Sequence, residues 1–394
     1  MQGSVGMLAG LAVGLLLGLF LPGCAPWIEP AGLLWFNAIR MTVIPIVVAQ
    51  LILGVNTRIE ARELGNLGIR AFAWFIGLLA ATAGFSAIVM YVALRWMPSV
   101  QPAVANAGPA TIPGFGEWIA GLLPGNVLQA AVEGKLLALI FFALLFGAAV
   151  RCGTEVRKQA LLEVVAAVND AMLTIVGWVM RLAPFGVAAL AVSVTAKLGS
   201  SAAGALGYYI LVFCGIEIAI TVPLYPLVIS LANVNIRSWA AAVAPVQTLA
   251  FSSRSSMAAL PAMVAAASQS LRLSPAVTGF VLPLSAVAFR YSAPVSHVTG
   301  AFFIAHLYGI ELTATKIALM LITTVFLSLS SPGIPSGALL IALPLFHQLG
   351  LPAEGIGLLI AADAIPDMFK TMANVTADMA VATVLSPPEY TIGK

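Results

Sequence analysis

Residues 361–380 read AADAIPDMFKTMANVTADMA, and inside this apolar run Asp363, Asp367, Lys370, Asn374 and Asp378 follow one another at steps of four, three, four and four. That spacing places all five on one stripe of an α-helix. Three of the four Asp residues of the whole chain lie on it. An ionisable group at the bilayer centre costs about 2.5–3.5 kcal/mol on insertion scales, so such a cluster in so apolar a segment marks a site for a polar solute or ion. The alternative is a polar seam whose members satisfy one another between packed helices.

Composition carries the same message. Of 394 residues 61% are hydrophobic and 8% charged, with a mean hydropathy of +1.05, which describes a polytopic membrane protein. The balance of 18 basic to 15 acidic residues is too even to suggest a nucleic-acid partner. Cys24, Cys152 and Cys214 are far apart, each in or beside an apolar run, so they read as small apolar residues and not as a disulfide framework or metal cluster. The run from Val5 to Leu21 has no Lys or Arg before it and reads as a first membrane helix, not a signal peptide.

Apolar segments near 4–22, 30–55, 68–96, 118–150, 166–195, 206–231, 274–308 and 352–386 are each long enough to span a bilayer, several with tilt or a break. Two more, about 240–271 and 312–350, are interrupted by SSRSS (Ser252–Ser256) with Pro261, and by SLSSPGIPSG (Ser328–Gly337). Both read as re-entrant hairpins, the alternative being Pro-kinked spanning helices. Irregular backbone at membrane depth is tolerated only where protein or a polar cavity satisfies it, and paired broken elements point to a transporter site near the midplane. Arg58, Arg62 and Arg70, and then Arg151, Arg157 and Lys158, mark cytoplasmic connections, whereas 97–134 has no Lys or Arg. The N-terminus is then cytoplasmic and the Pro/Gly/Ala-rich stretch 97–127 an external loop.

These motifs resemble one family. The run from Asp363 to Asp378, SSRSSMAALP, GFVLPLSA, MTVIPIVVAQLILGV, RLAPFGVAALAV and FFALLFGAAV are similar, in order and over nearly the entire chain, to the glutamate and aspartate transporters of the dicarboxylate/amino acid:cation symporter family. The resemblance implies an all-α fold of eight transmembrane helices plus two oppositely oriented re-entrant helical hairpins, an inverted-repeat elevator transporter in a homotrimer in the plasma membrane. It divides the chain into scaffold helices 1 and 2 (1–63), transport-domain helix 3 (64–96), an external loop with scaffold helices 4 and 5 (97–203), the rest of the transport domain (204–386) and a short cytoplasmic tail (387–394).

Carried over residue by residue, the resemblance makes Asp367 the acceptor of the substrate's α-amino group, assisted by Thr371. Asn374 binds the α-carboxylate or a cation, and Asp378 belongs to a cation site. The hairpin tips contribute Arg254, Ser255 and Ser256 in the first and Ser331, Gly333, Ile334 and Pro335 in the second, which acts as the external gate. Lys370 stands where the family has a selectivity arginine, which keeps the charge and loses the bidentate fork. Where the family reads Asn-Met-Asp-Gly-Thr, this chain has Phe289, Arg290, Tyr291, Ser292 and Ala293. One sodium site thereby loses oxygens at Tyr291, Leu78 and Leu79, and Arg290, a fixed charge beside Asp378 and Asn374, becomes a built-in replacement for the cation.

The function expected is secondary transport of L-aspartate or L-glutamate with weak or no sodium coupling, the alternative being sodium- or proton-coupled transport of small neutral amino acids or dicarboxylates. No cofactor is expected. His297, His306, Glu217 and Asp363 are candidates for a proton route. An intramembrane aspartyl protease needs facing carboxylates on two helices, whereas Asp363, Asp367 and Asp378 share one segment. A channel needs a charged ring or filter motif that the sequence does not contain.

Overall fold

A computed structural model of the chain describes residues 2–56, 62–98, 123–133, 136–198, 200–232, 234–329 and 336–387, all helix and short connections, with no strand among the described residues. Most of the 97–127 stretch, the tip of the second hairpin with Ser331, Gly333, Ile334 and Pro335, and the tail from 388 lie outside them.

Helix α1 (Gln2–Phe20) is followed by a 3-10 turn at Pro22–Cys24 and by α2 (Ala25–Val55). The two axes meet at 108°. Gly6, Gly10, Gly14 and Gly18 recur every fourth residue on the face of α1 that lies along α7 (Ala183–Leu198). A Cβ on Gly10 would stand 2.2 Å from the Pro184 carbonyl oxygen, and one on Gly14 2.4 Å from that of Ala188. The small-residue stripe thus lets two backbones touch where lipid supplies no hydrophobic drive between helices. Helix α2 packs on α5 (Leu136–Arg151), α6 (Glu155–Arg181) and α7, and the Trp35 indole donates to the Val179 carbonyl at 3.0 Å.

The remaining helices gather around the C-terminal segment. Helix α3 (Arg62–Ala93) packs on α13 (Ala293–Leu307) and α14 (Ala314–Ser328). Helix α8 (Ser200–Thr221), α9 (Leu224–Ala232) and the hairpin arms α10 (Ile236–Ser253) and α11 (Ser256–Ala265) surround α18 (Pro366–Leu385). Between them run α12 (Leu282–Ala288), α15 (Gly337–Ile341), α16 (Leu343–Gln348) and α17 (Ala353–Ala362).

Several expected segments change in detail. The run 118–150 is not one span: Pro124 and Gly125 precede Asn126, whose side chain caps the short α4 (Val127–Val132), and α5 starts only at Leu136. The run 166–195 is two helices. The first begins at Glu155, an acidic residue favoured by the helix dipole, and the chain rejoins at Pro184, which has no N–H to continue the ladder. The run 274–308 breaks at Phe289–Ser292, so Arg290 lies in a non-helical joint, not in mid-helix. The run 352–386 breaks at Asp363–Ile365, because Pro366 restarts the helix. Asp363 therefore terminates α17, while Asp367, Lys370, Thr371, Asn374 and Asp378 lie on α18.

Candidate functional site

The first hairpin turns on one residue. Arg254 adopts left-handed backbone (φ 55°, ψ 31°) and ends α10, and Ser255 returns to extended backbone and caps α11 by accepting from the Ala258 amide at 3.2 Å. Left-handed geometry costs a non-glycine residue about 1–2 kcal/mol, so the side chain has to be worth holding there. It is: Arg254 is buried, and its Nε donates to Asp367 Oδ2 at 3.0 Å. Ser256 is buried in the first turn of α11, where backbone N–H groups are left over by the helix ladder.

Lys370 continues the chain of charges. Its Nζ meets both oxygens of Asp363 at 2.6 and 2.8 Å and Asp367 Oδ1 at 3.3 Å. Arg254, Asp367, Lys370 and Asp363 thus alternate in sign along one buried row, two cations against two anions. Such charges are tolerable out of water only when paired with good geometry. The Thr371 hydroxyl donates to the Asp367 carbonyl at 2.7 Å, which leaves its lone pairs free to accept.

A second layer joins the broken segment between α12 and α13 to α8 and α18. The Ser292 amide donates to Asn374 Oδ1 at 2.9 Å, and its hydroxyl donates to Glu217 Oε2 at 2.7 Å while lying 3.2 Å from the Lys370 carbonyl. Asp378 is wholly buried. Arg290 and Ser285 are its polar neighbours. Phe75 of α3 stacks on Phe289 at 4.4 Å between centroids, and the Tyr291 hydroxyl donates to the Ile220 carbonyl at 2.8 Å.

The structure brings Arg254, Asp367, Lys370 and Thr371 together, and Asn374, Asp378 and Arg290 next to them. On α3, Leu79 is core, and Thr82, one turn on, places its hydroxyl 3.0 Å from the Leu79 carbonyl and 3.3 Å from that of Tyr291. Two features have contacts that the sequence reading did not anticipate. Asp363 is the partner of Lys370, for which two helical turns of spacing was the available signal. Ser292 links three helices, and nothing in its sequence context announced it. His297 on α13 holds the hairpin that follows: Nδ1 bonds the Thr324 hydroxyl on α14 and Nε2 lies 2.9 Å from the Ala338 carbonyl on α15.

The model of the sodium:dicarboxylate symporter family matches residues 4–387. The chain belongs to that family. It is therefore a secondary transporter, not an enzyme, and a multi-pass plasma-membrane protein. It is 28% identical over 399 residues to the proton/sodium-glutamate symport protein of Bacillus subtilis, covering 97% of this chain and 92% of the relative. It is 25% identical over 403 residues to the proton/glutamate-aspartate symporter of Escherichia coli (98% and 92%). It is also 27% identical over 430 residues to the human neutral amino acid transporter A (96% and 80%).

Proposed function

We propose that this family member carries acidic amino acids, L-aspartate or L-glutamate, by an elevator motion within a homotrimer, and that substrate binding does not require sodium. The observation that carries the reading is the row of alternating charges. An acidic amino acid offers one ammonium and two carboxylates, and the row offers Asp367 to the first and Arg254 and Lys370 to the others. Binding then exchanges ion pairs in place, so no charge is left bare in a dry site. The seat of Arg290 beside Asp378 supports sodium independence, because a guanidinium is charged at any physiological pH and stands where it can neutralise that carboxylate. Phe289 and Tyr291 fill the same joint with carbon.

A second reading, transport of neutral amino acids, is favoured by one observation. Lys370 already faces both oxygens of Asp363, so it can serve as an internal counter-ion and leave the substrate side chain unread. Calorimetry separates the two readings. L-Aspartate is expected to outcompete both L-serine and succinate, with equal affinity in sodium and choline buffers. A preference for L-serine overturns the acidic reading, and a sodium-dependent affinity change above about tenfold, 1.4 kcal/mol, overturns sodium independence.

A further inference from the structure

Glu217 is the one ionisable side chain among Asp, Glu, Lys, Arg and His in the apolar stretch 200–232, and it is wholly buried. Its Oε2 accepts from Ser292, and its Oε1 has no hydrogen-bond partner at all. Asp363 and Asp367 are held by Lys370 and Arg254, and Asp378 faces Arg290, whereas the contact made by Glu217 is to a neutral hydroxyl. We infer that Glu217 is the proton-binding site of this transporter, taking up a proton at Oε1 when an anionic amino acid binds and carrying it across with the substrate.

The charge inventory says why. The buried charged side chains of the described residues are three cations (Arg254, Arg290, Lys370) and four anions (Glu217, Asp363, Asp367, Asp378), all in this one cluster. The empty site is thus one negative charge in excess, and an acidic amino acid adds a second. Like charges gathered out of water are costly, and a group that can neutralise does so. Protonated Glu217 returns the loaded cluster to the charge of the empty one. The position is suited to coupling, since Ser292 donates on one side to Glu217 and on the other to Asn374, beside the proposed substrate. A change at Oε2 is felt by the backbone that borders the site.

The surroundings leave few rivals. Tyr209 and Cys214 stand near Glu217 on its own helix, Tyr291 in the broken segment, and Lys370 and Asp363 across from it. Of the elements packed on α8, α13 brings His297, which is bonded through both ring nitrogens, and His306, about 13 Å further along the helix, whose Nε2 has no partner; α9 brings Tyr225, bonded to Gln247, and α18 brings Asp367, held by Arg254 and Lys370, and Asp378 beside Arg290. Helix α3 has no Asp, Glu, Lys, Arg or His between Phe72 and Tyr91, and α7 has none between Ala183 and Ala196.

This inference rests on the acidic, sodium-independent reading, and the experiment keeps the two apart. Binding of L-aspartate to the detergent-solubilised full chain is measured by calorimetry in buffers of different protonation enthalpy, in choline and again in sodium. Wild type is expected to take up about one proton per substrate and Glu217→Gln none, with binding retained. Sodium-dependent affinity overturns the earlier reading, while sodium-independent binding without proton uptake overturns this one alone. If L-aspartate gives no heat, the same titration with L-serine tests the substrate class: heat from L-serine alone overturns the acidic reading and, since a neutral substrate adds no charge, this inference with it. Ser292→Ala gives a check that does not depend on the folding of the Gln variant. In infrared difference spectra the carboxylic-acid carbonyl band that substrate induces in wild type is expected to shift in Ser292→Ala, because the hydrogen bond to Oε2 is gone. No band, or a band that ignores Ser292→Ala or persists in Glu217→Gln, places the proton elsewhere and overturns the inference.

Discussion

Asp367 stands between two cations, Arg254 at 3.0 Å and Lys370 at 3.3 Å, so its removal takes an anionic partner from both. Asp367→Ala is expected to weaken L-aspartate binding at least about a hundredfold, or 2.7 kcal/mol. An affinity within tenfold of wild type shows that the substrate ammonium is met elsewhere. Lys370 separates structure from recognition. Lys370→Met strands Asp363 in the interior, at a stability cost on the order of 3 kcal/mol, whereas Lys370→Met with Asp363→Leu replaces both charges by carbon and recovers most of it. Neither variant is expected to keep the preference of L-aspartate over L-serine, and a double variant that does shows Lys370 to be an internal counter-ion only. Helical spacing alone placed Asp367, Lys370, Asn374 and Asp378 on one stripe, since period 3.6 is a local property, whereas Thr371 entered through the family resemblance. The Arg254 side chain was not legible in that way, because it depends on one left-handed residue directing a hairpin tip toward a helix more than a hundred residues away.

At the scale of elements, apolar runs located the helices, and their ends escaped notice where proline and capping chemistry intervened, at Asn126, Pro184 and Pro366. A hydropathy run reports what can lie in lipid and is blind to which backbone groups are satisfied. The glycines make the complementary point. On α1, Gly14→Leu drives a side chain into the Ala188 carbonyl, 2.4 Å from the first added carbon, and into Ala191 at 2.8 Å. Overpacking of this kind costs about 1–3 kcal/mol where neighbours can yield, and here the nearest atom is backbone. On α3, Gly77 has nothing within 4 Å of an added Cβ. Gly77→Ala is expected to be neutral or to stabilise by about 0.5–1 kcal/mol through helix propensity. Thermal unfolding in detergent compares the pair, and equal melting points for Gly14→Leu and wild type would show that the α1 and α7 contact contributes nothing.

At the scale of the whole molecule, the packing suggests where a moving body would have to slip. Helices α1, α2, α6 and α7 pack on one another, α3, α8–α11, α13 and α18 surround the charged row, and α17 lies across the line between the two sets, against α7 and α1. Gly357 of α17 is pressed against Leu190 of α7: an added Cβ would stand 2.2 Å from a Leu190 methyl and 3.5 Å from the Leu190 Cβ. The last distance lies in the range a disulfide bridges without backbone movement. An elevator motion moves α17 past α7 by more than that range, whereas a rocking or local gating motion can leave the contact intact. Leu190→Cys with Gly357→Cys, in a chain whose Cys24, Cys152 and Cys214 are replaced, is therefore expected to cross-link on oxidation, to lose uptake into proteoliposomes and to regain it on reduction. Substrate binding persists throughout, because the charged row lies on the moving side of the bond. Undiminished uptake in the fully oxidised protein would mean that transport proceeds with α17 fixed to α7, and the elevator reading would fall while the binding chemistry stood.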